Sequence, residues 1–161
     1  MDFTKINIDE IVIDDKLNVC YKGKRIVIKT PILYLPFGIE RAYNNIFLKV
    51  QMKTNYYEDD TYEKFTAFIN NIETKFASET GKNIRSQLSH NEKYGNTLTT
   101  KVPHYKDRIT PDIIHNGHHI SFESIHAKHY LVLDLIFDKL WDYKDDILTY
   151  KIKVKEIHVI D

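Results

Sequence analysis

Apolar and polar residues alternate along most of this chain, and the period lengthens in one stretch only. Ile6, Ile8, Ile11 and Ile13, with polar residues between all but the last two, predict an opening strand that breaks register near Asp9-Glu10. Asp14-Asp15-Lys16 reads as a turn, and Leu17, Val19 and Tyr21 read as the next strand. Lys22-Gly23-Lys24 reads as a hairpin turn into a third run, in which Ile26 and Ile28 alternate with Val27 and Lys29. These three runs form a meander. Further on, Ile46, Leu48, Val50 and Met52 alternate with Phe47, Lys49, Gln51 and Lys53, which predicts a strand over 45–53.

At residue 60 the period changes. Tyr62, Phe65, Phe68, Ile69, Ile72 and Phe76 recur every three or four positions and make one apolar helical face. Asp60 is placed as an N-cap, Glu63 sits in capping-box position and Gly81 lies just beyond the end, so the spacing predicts a helix from about Thr61 to Ser78. That helix would plug one end of a β-structure. After it come a turn at 91–96, a strand over 97–102 and a short strand at 120–123. The run Tyr130 to Phe137 alternates like a strand, yet its spacing also suits a helix reaching Trp141. Leu148, Tyr150, Ile152 and Val154 alternate with Thr149, Lys151, Lys153 and Lys155, a last strand with one lysine-rich face. Many short strands and one helix predict a mainly β fold over 1–161: a single small barrel or sandwich with an embedded helix.

The segment Thr30-Pro31-Ile32-Leu33-Tyr34-Leu35-Pro36-Phe37-Gly38-Ile39 breaks the meander. Each proline fixes φ and removes a backbone donor, so the run is unsuited to a helix interior or to a central, fully paired strand. It is expected as an exposed edge that turns at Phe37-Gly38 and brings Tyr34 and Phe37 together. An exposed edge needs protection or a partner, and a homodimer through Ile32 to Ile39 is one way to cover it.

Composition narrows the setting. Hydrophobic residues at 42% and charged residues at 29% are ordinary for a globular domain, and no apolar run approaches the roughly 18 residues of a membrane span. The single cysteine, Cys20, excludes an internal disulfide and fits a reducing compartment. Eleven tyrosines and eight phenylalanines stand against five glycines, an aromatic load that suits pleated, half-buried surfaces. The 23 basic and 23 acidic residues cancel, so any basic face must come from segregated charge.

No catalytic constellation assembles. The chain lacks a nucleophile elbow, a phosphate-binding glycine loop and a dinucleotide fingerprint, and its paired acids fall at turns and caps, so an enzyme is not expected. His115, His118, His119, His126 and His129 lie around Glu123, but without zinc-site spacing, so neither a metal nor a cofactor is expected. Basic residues instead gather in two regions. One holds Lys22, Lys24, Arg25 and Lys29 beside Tyr21 and Tyr34. The other holds Lys82, Arg85, Lys93, Lys101, Lys106 and Arg108, interleaved with Tyr94, His104 and Tyr105. Cations that track phosphates and aromatics that stack on splayed bases are what single-stranded nucleic acid requires. The contact residues expected are Tyr21, Lys22, Lys24, Arg25, Tyr34, Lys101, Tyr105, Lys106 and Arg108.

The Thr30-to-Ile39 stretch, the strand 45–53 and the aromatic-lined helix after it, with Leu140-Trp141 and the final strand Tyr150 to Ile157, together resemble a known family. They look like the OB-fold single-stranded-DNA-binding proteins of nucleocytoplasmic large DNA viruses, which are related to those of short-tailed phages. The resemblance implies a five-stranded OB barrel with a helix inserted between strands, and a strand at 130–137. It implies sequence-independent coating of single-stranded DNA, with RNA left open, during viral replication and recombination. The setting would be the host cytoplasm or nucleus, or the virion. Proteins of this kind often end in an acidic tail, whereas this chain ends Lys155-Glu156-Ile157-His158-Val159-Ile160-Asp161. The alternative is a divergent barrel that serves as a viral structural or interaction component without DNA.

Overall fold

A computed structural model describes residues 1–92 and 95–161. Five strands close a barrel. The first, β1, runs in two pieces, Ile26–Lys29 and Leu33–Leu35; β2 is Asn45–Gln51, β3 Thr97–Lys101, β4 His129–Phe137 and β5 Lys153–Ile160. β1 pairs with β2, β2 with β3, β3 with β5, β5 with β4, and β4 returns to β1. Every contact is antiparallel except the one between β3 and β5. This is the OB-like barrel expected from the sequence.

The proline segment is the main correction to the sequence reading. Leu33–Leu35 is not an edge: it pairs with β4 through Leu33, Tyr34 and Leu35 and with β2 through Tyr34. Leu33 and Leu35 are fully buried. The strand accommodates Pro31 because the ladder is interrupted there and its bonds are rerouted. Thr30 N–H donates to Leu133 O at 2.9 Å, Leu133 N–H donates to the Thr30 hydroxyl at 3.0 Å, and Ile32 N–H donates to the Tyr57 hydroxyl at 2.9 Å. Pro36 falls just past the paired piece. Gly38 follows at φ +72°, where an added Cβ would come within 3.2 Å of the Ala127 backbone. Leu33–Leu35 thus has a strand neighbour on each side.

The single helix, α1 (Thr61–Thr80), joins β2 to β3. Phe65, Phe68, Ile69, Ile72 and Phe76 form its buried stripe. Phe68 meets Phe137 at the end of β4 edge-on at 6.2 Å, and Phe76 meets Tyr150 at 5.3 Å. Asp60 is the N-cap residue, as expected, but its side chain pairs with Lys64 at 3.4 Å and makes no capping bond, and the carboxylate of Asp59 accepts from Thr61 N–H at 3.0 Å instead. Gly81, left-handed at φ +68°, ends the helix by donating to Ala77 O. No helix among the described residues is long and apolar enough to cross a membrane.

Other boundaries move for local reasons. Ile6 and Ile8 sit beside short 3₁₀ turns, Phe3–Lys5 and Ile8–Glu10, where the Asp2 and Asn7 side chains bond the backbone; only Ile11–Ile13 is strand. It pairs with Val19–Tyr21, and Lys22 and Gly23, both at positive φ, make the tight turn predicted. The strand expected at 120–123 is a 3₁₀ turn, Phe122–Ser124. The run Tyr130 to Phe137 is strand throughout, within β4. The final run is split at Lys151-Ile152: Ile147–Tyr150 pairs with Leu140–Lys144, and β5 begins at Lys153. The turn expected at 91–96 includes Lys93 and Tyr94, which lie outside the described residues.

Thr30 is the buried polar residue on which the Pro31 interruption turns. Thr30→Val keeps the shape but orphans Leu133 N–H, and it is expected to cost about 1–3 kcal/mol. Urea denaturation would show this as a lower midpoint with unchanged slope, and Thr30→Ser would recover most of the loss.

Candidate nucleic-acid interface

Two strand connections rise beside the outer faces of β2 and β3. The β1–β2 connection is a hairpin in which Ile39–Ala42 pairs with Asn45 to Leu48, and Tyr43 and Asn44 turn it at positive φ. The β4–β5 connection is the hairpin of Leu140–Lys144 and Ile147–Tyr150. Because side chains alternate, Ile46, Leu48 and Val50 enter the barrel while Phe47 and Lys49 face outward. On β3, Thr99 and Lys101 face outward, opposite Lys49 and Phe47 respectively. A groove of about 510 Å³ lies over this face, its lining including Glu40 as well as Arg41, Phe47, Lys49, Arg85 and Lys151.

Backbone bonding places the cations. Lys101 N–H donates to Ile152 O at 2.8 Å, and Lys101 is in register with Lys153, so the seam between β3 and β5 carries Lys101 beside Lys151 and Lys153. Arg85 lies on a segment bonded to both sides of the groove: its N–H donates to Leu148 O at 2.8 Å, and Thr99 N–H donates to Gln87 O at 2.9 Å. The Arg85 guanidinium stands 4.4 Å from the Tyr143 ring centre, and Lys153 Nζ 5.9 Å from that of Trp141.

Some of this charge is compensated. Lys49 pairs with Glu40 at 3.4 Å, and Lys153 with Asp138 at 3.3 Å. Arg85, Lys101 and Lys151 have no carboxylate partner among the described residues. Burial, then the charges of Lys101 and Arg85, hold the Lys151 ammonium below the ordinary lysine value. The arrangement is a half-sheltered positive cluster beside an outward aromatic ring.

A further hairpin docks at one end. His104–Tyr105 pairs with Arg108–Ile109, and His104 contacts two carbonyls, Lys106 O through Nδ1 at 2.8 Å and Asn44 O through Nε2 at 2.6 Å. A neutral imidazole can donate to only one of them. The link ties this hairpin to the β1–β2 tip, so Tyr105 and Tyr43, 76% and 98% exposed, are presented by two joined loops.

The nine residues expected from the sequence are dispersed. Lys101 lies at the centre of the cationic cluster. Tyr105 and Lys106 lie on the docked hairpin, with the Lys106 ammonium 5.6 Å from the Tyr105 ring centre, and Arg108 is exposed on its second strand. Tyr21 is a correction: it is only 8% exposed, and its hydroxyl accepts from Asn7 N–H at 3.2 Å, so its ring is core and has no free face for a base. Lys22, Lys24 and Arg25 are exposed at and just after the tight turn of the first hairpin, which packs on α1, and Lys22 pairs with Glu10 at 3.7 Å. Tyr34 is half-buried against Tyr130 of β4, with ring centres 5.3 Å apart; Phe37, 66% exposed, stands free of that cluster. Sequence reasoning passed over Phe47, Trp141, Tyr143 and Lys151 as contacts. The signal for Phe47 was legible, since it is an aromatic ring on the otherwise polar side of an alternating strand.

No family model matches the chain, and no curated protein matches it in sequence. Solved structures do. The chain is similar to gp2.5, a single-stranded-DNA-binding protein encoded by bacteriophage T7, with a TM-score of 0.61 over 85% of this chain and 87% of that one at 10% identity. It is also similar to the single-stranded-DNA-binding protein of bacteriophage Enc34, with a TM-score of 0.57 over 92% and 88% at 10% identity. A C-terminal truncation of the Enc34 protein gives 0.51 over 95% and 96% at 12% identity. The chain shares their fold.

The depressed Lys151 value has a sign that can be checked. Its folded value lies below the ordinary 10.5, so the fold disfavours the charged form and gains stability as pH rises from the folded value through 10.5. Lys151→Gln is therefore expected to melt higher than wild type at pH 7 in low salt. The difference should shrink with added salt and as pH approaches 10.5, when followed by thermal denaturation.

Proposed function

We propose that the chain binds single-stranded DNA along the outer face of β2 and β3, without catalysis and without strong sequence preference. The observation that carries this reading is the uncompensated cluster of Arg85, Lys101 and Lys151 beside the outward ring of Phe47. A polyanion relieves the repulsion among the three cations and releases its own counterions as it binds, so affinity falls as salt rises. Bases that turn away from the phosphates meet Phe47, and Trp141 and Tyr143 on one side and Tyr43 on the other extend the aromatic surface. In OB barrels this face, between the first and last strand connections, is where oligonucleotides lie. The phage proteins of like fold bind single-stranded DNA, which supports the same ligand here. The resemblance of the Thr30-to-Ile39 stretch to proteins of nucleocytoplasmic large DNA viruses supports the further proposal that the chain coats intermediates of viral replication and recombination in the infected cell.

A zero net charge is compatible with this role because the charge is segregated. Acids are spent on individual lysines at Lys22, Lys29, Lys49, Lys64, Lys75, Lys82 and Lys153, which leaves the groove cations in excess locally.

Fluorescence anisotropy of a labelled single strand of about 30 nucleotides, at two salt concentrations, tests the reading, with duplex and RNA of equal length as controls. Preferential, salt-sensitive binding of the DNA single strand is expected. Lys101→Glu/Lys151→Glu should weaken it at least about tenfold and flatten the salt slope, and Phe47→Ala should cost about 1–3 kcal/mol for each base it stacks. Lys24→Glu/Arg25→Glu should leave affinity and slope unchanged. Absence of binding at low salt, or loss with the Lys24/Arg25 pair but not the Lys101/Lys151 pair, would reject this groove.

A further inference from the structure

On the outer face of β4 and β5, away from the groove, one cluster of side chains has a different chemistry. Asp134 and Glu156 are directly opposed in the antiparallel register, and His158 lies two residues beyond Glu156 on the same face. His158 Nε2 stands 3.2 Å from Glu156 Oε1 and 3.8 Å from Asp134 Oδ2, and the three atoms all lie within 4.8 Å of one another. A register shift between Asp134 and Leu135 falls at this point of the ladder and re-aims the chain there.

Ordinary pairing leaves this cluster incomplete. Like charges directly across a ladder repel, and Asp134 and Glu156 are such a pair. Lys29 approaches Asp134 through the other oxygen, Oδ1, at 3.4 Å, so one of the two carboxylate charges remains. His158 Nε2 is sealed from solvent and makes no hydrogen bond, despite the two carboxylates beside it. The ring nitrogen and the two carboxylate oxygens stand close enough together for one cation to be shared by all three.

We propose that Asp134, Glu156 and His158 form a divalent metal site, with Zn²⁺ as the ion. One imidazole nitrogen and two carboxylate oxygens are a ligand set that zinc accepts, at about 2.0–2.2 Å each. At those lengths a tetrahedral site has ligand atoms roughly 3.3 Å apart, so the His158–Glu156 spacing of 3.2 Å is already suitable, and Asp134, 3.8 Å from His158, has to move inward. The imidazole selects zinc over magnesium, which prefers oxygen alone. The three side chains are half-buried. A bound ion would cancel the repulsion between Asp134 and Glu156 and cross-link β4 to β5. The histidines between 115 and 129 lack zinc-site spacing and His158 carries no motif, so no metal was expected from the sequence; only the strand register brings His158 to its partners.

Isothermal titration of the full chain, freed of metal, with Zn²⁺ and separately with Mg²⁺ tests this site. His158→Gln and Glu156→Gln remove one ligand each with little change of volume, and His118→Gln/His119→Gln controls for exposed imidazoles elsewhere. The expected result is one Zn²⁺ per chain, at least about tenfold weaker in either ligand variant. Affinity should be unchanged in the control, with no Mg²⁺ binding at the same concentrations and a zinc-dependent rise in melting temperature confined to chains with all three ligands. Zinc affinity unaffected by Glu156→Gln, or lost instead in the His118/His119 variant, overturns the proposal. If His158→Gln does not fold, Glu156→Gln decides alone.

Discussion

Barrel closure is the constraint on which the rest of the molecule depends. Four of the five strand contacts are antiparallel, but the ring is completed by a short parallel meeting of β3 and β5, made by the pairing of Lys101 with Lys153 and the bond from Lys101 N–H to Ile152 O. Without it the sheet would have two long edges, and its apolar inner face, including Leu48, Leu98, Leu133 and Ile157, would lose part of its cover. The closing residues are lysines, so the bond that seals the barrel also forces like charges together on its outer surface. The site is a consequence of closure: Lys151 sits next to Lys101 because β5 has to return beside β3.

The second constraint is the way β1 spans the barrel. A strand interrupted by proline would ordinarily be expelled to an edge, yet here both pieces are paired and the missing donor is compensated by side chains. The Thr30 hydroxyl serves β4, and the Tyr57 hydroxyl serves Ile32. The break lets β1 bend around the core, while its outer face gathers Tyr34, Tyr56 and Tyr130 into contact. Inside, α1 closes one end with phenylalanines against Phe137 and Tyr150, so helix and barrel share one core.

The two faces of the barrel divide the chemistry. The β2–β3 face pairs Lys49 with Glu40 but leaves Lys101, with Arg85 and Lys151 beside it, without a carboxylate partner among the described residues, and turns the ring of Phe47 outward. The β4–β5 face holds opposed carboxylates and an orphaned imidazole, suited to a small cation. Neither face is visible in a net charge of zero, because the sum hides the segregation.

Much of the architecture was legible in the chain. Alternation in Ile46 to Lys53, the three-to-four spacing from Tyr62 to Phe76 and the Lys22-Gly23 turn are local signals, and local physics decides them: side-chain periodicity, capping and positive φ. The aromatic–basic interleaving was legible too, and the structure places Lys101 on the outer face of β3 and Tyr105 and Lys106 exposed on the docked hairpin. What tertiary structure alone decided is which residues share a face. Tyr21 reads as an exposed partner of the lysines beside it, but packing turns it into the core. Leu33–Leu35 reads as an edge, but two neighbouring strands claim it. Phe47 meets Lys101, Arg85 meets Tyr143, and His158 meets Asp134 across separations in sequence that no local pattern spans, because strand register is set by the burial of the opposite face.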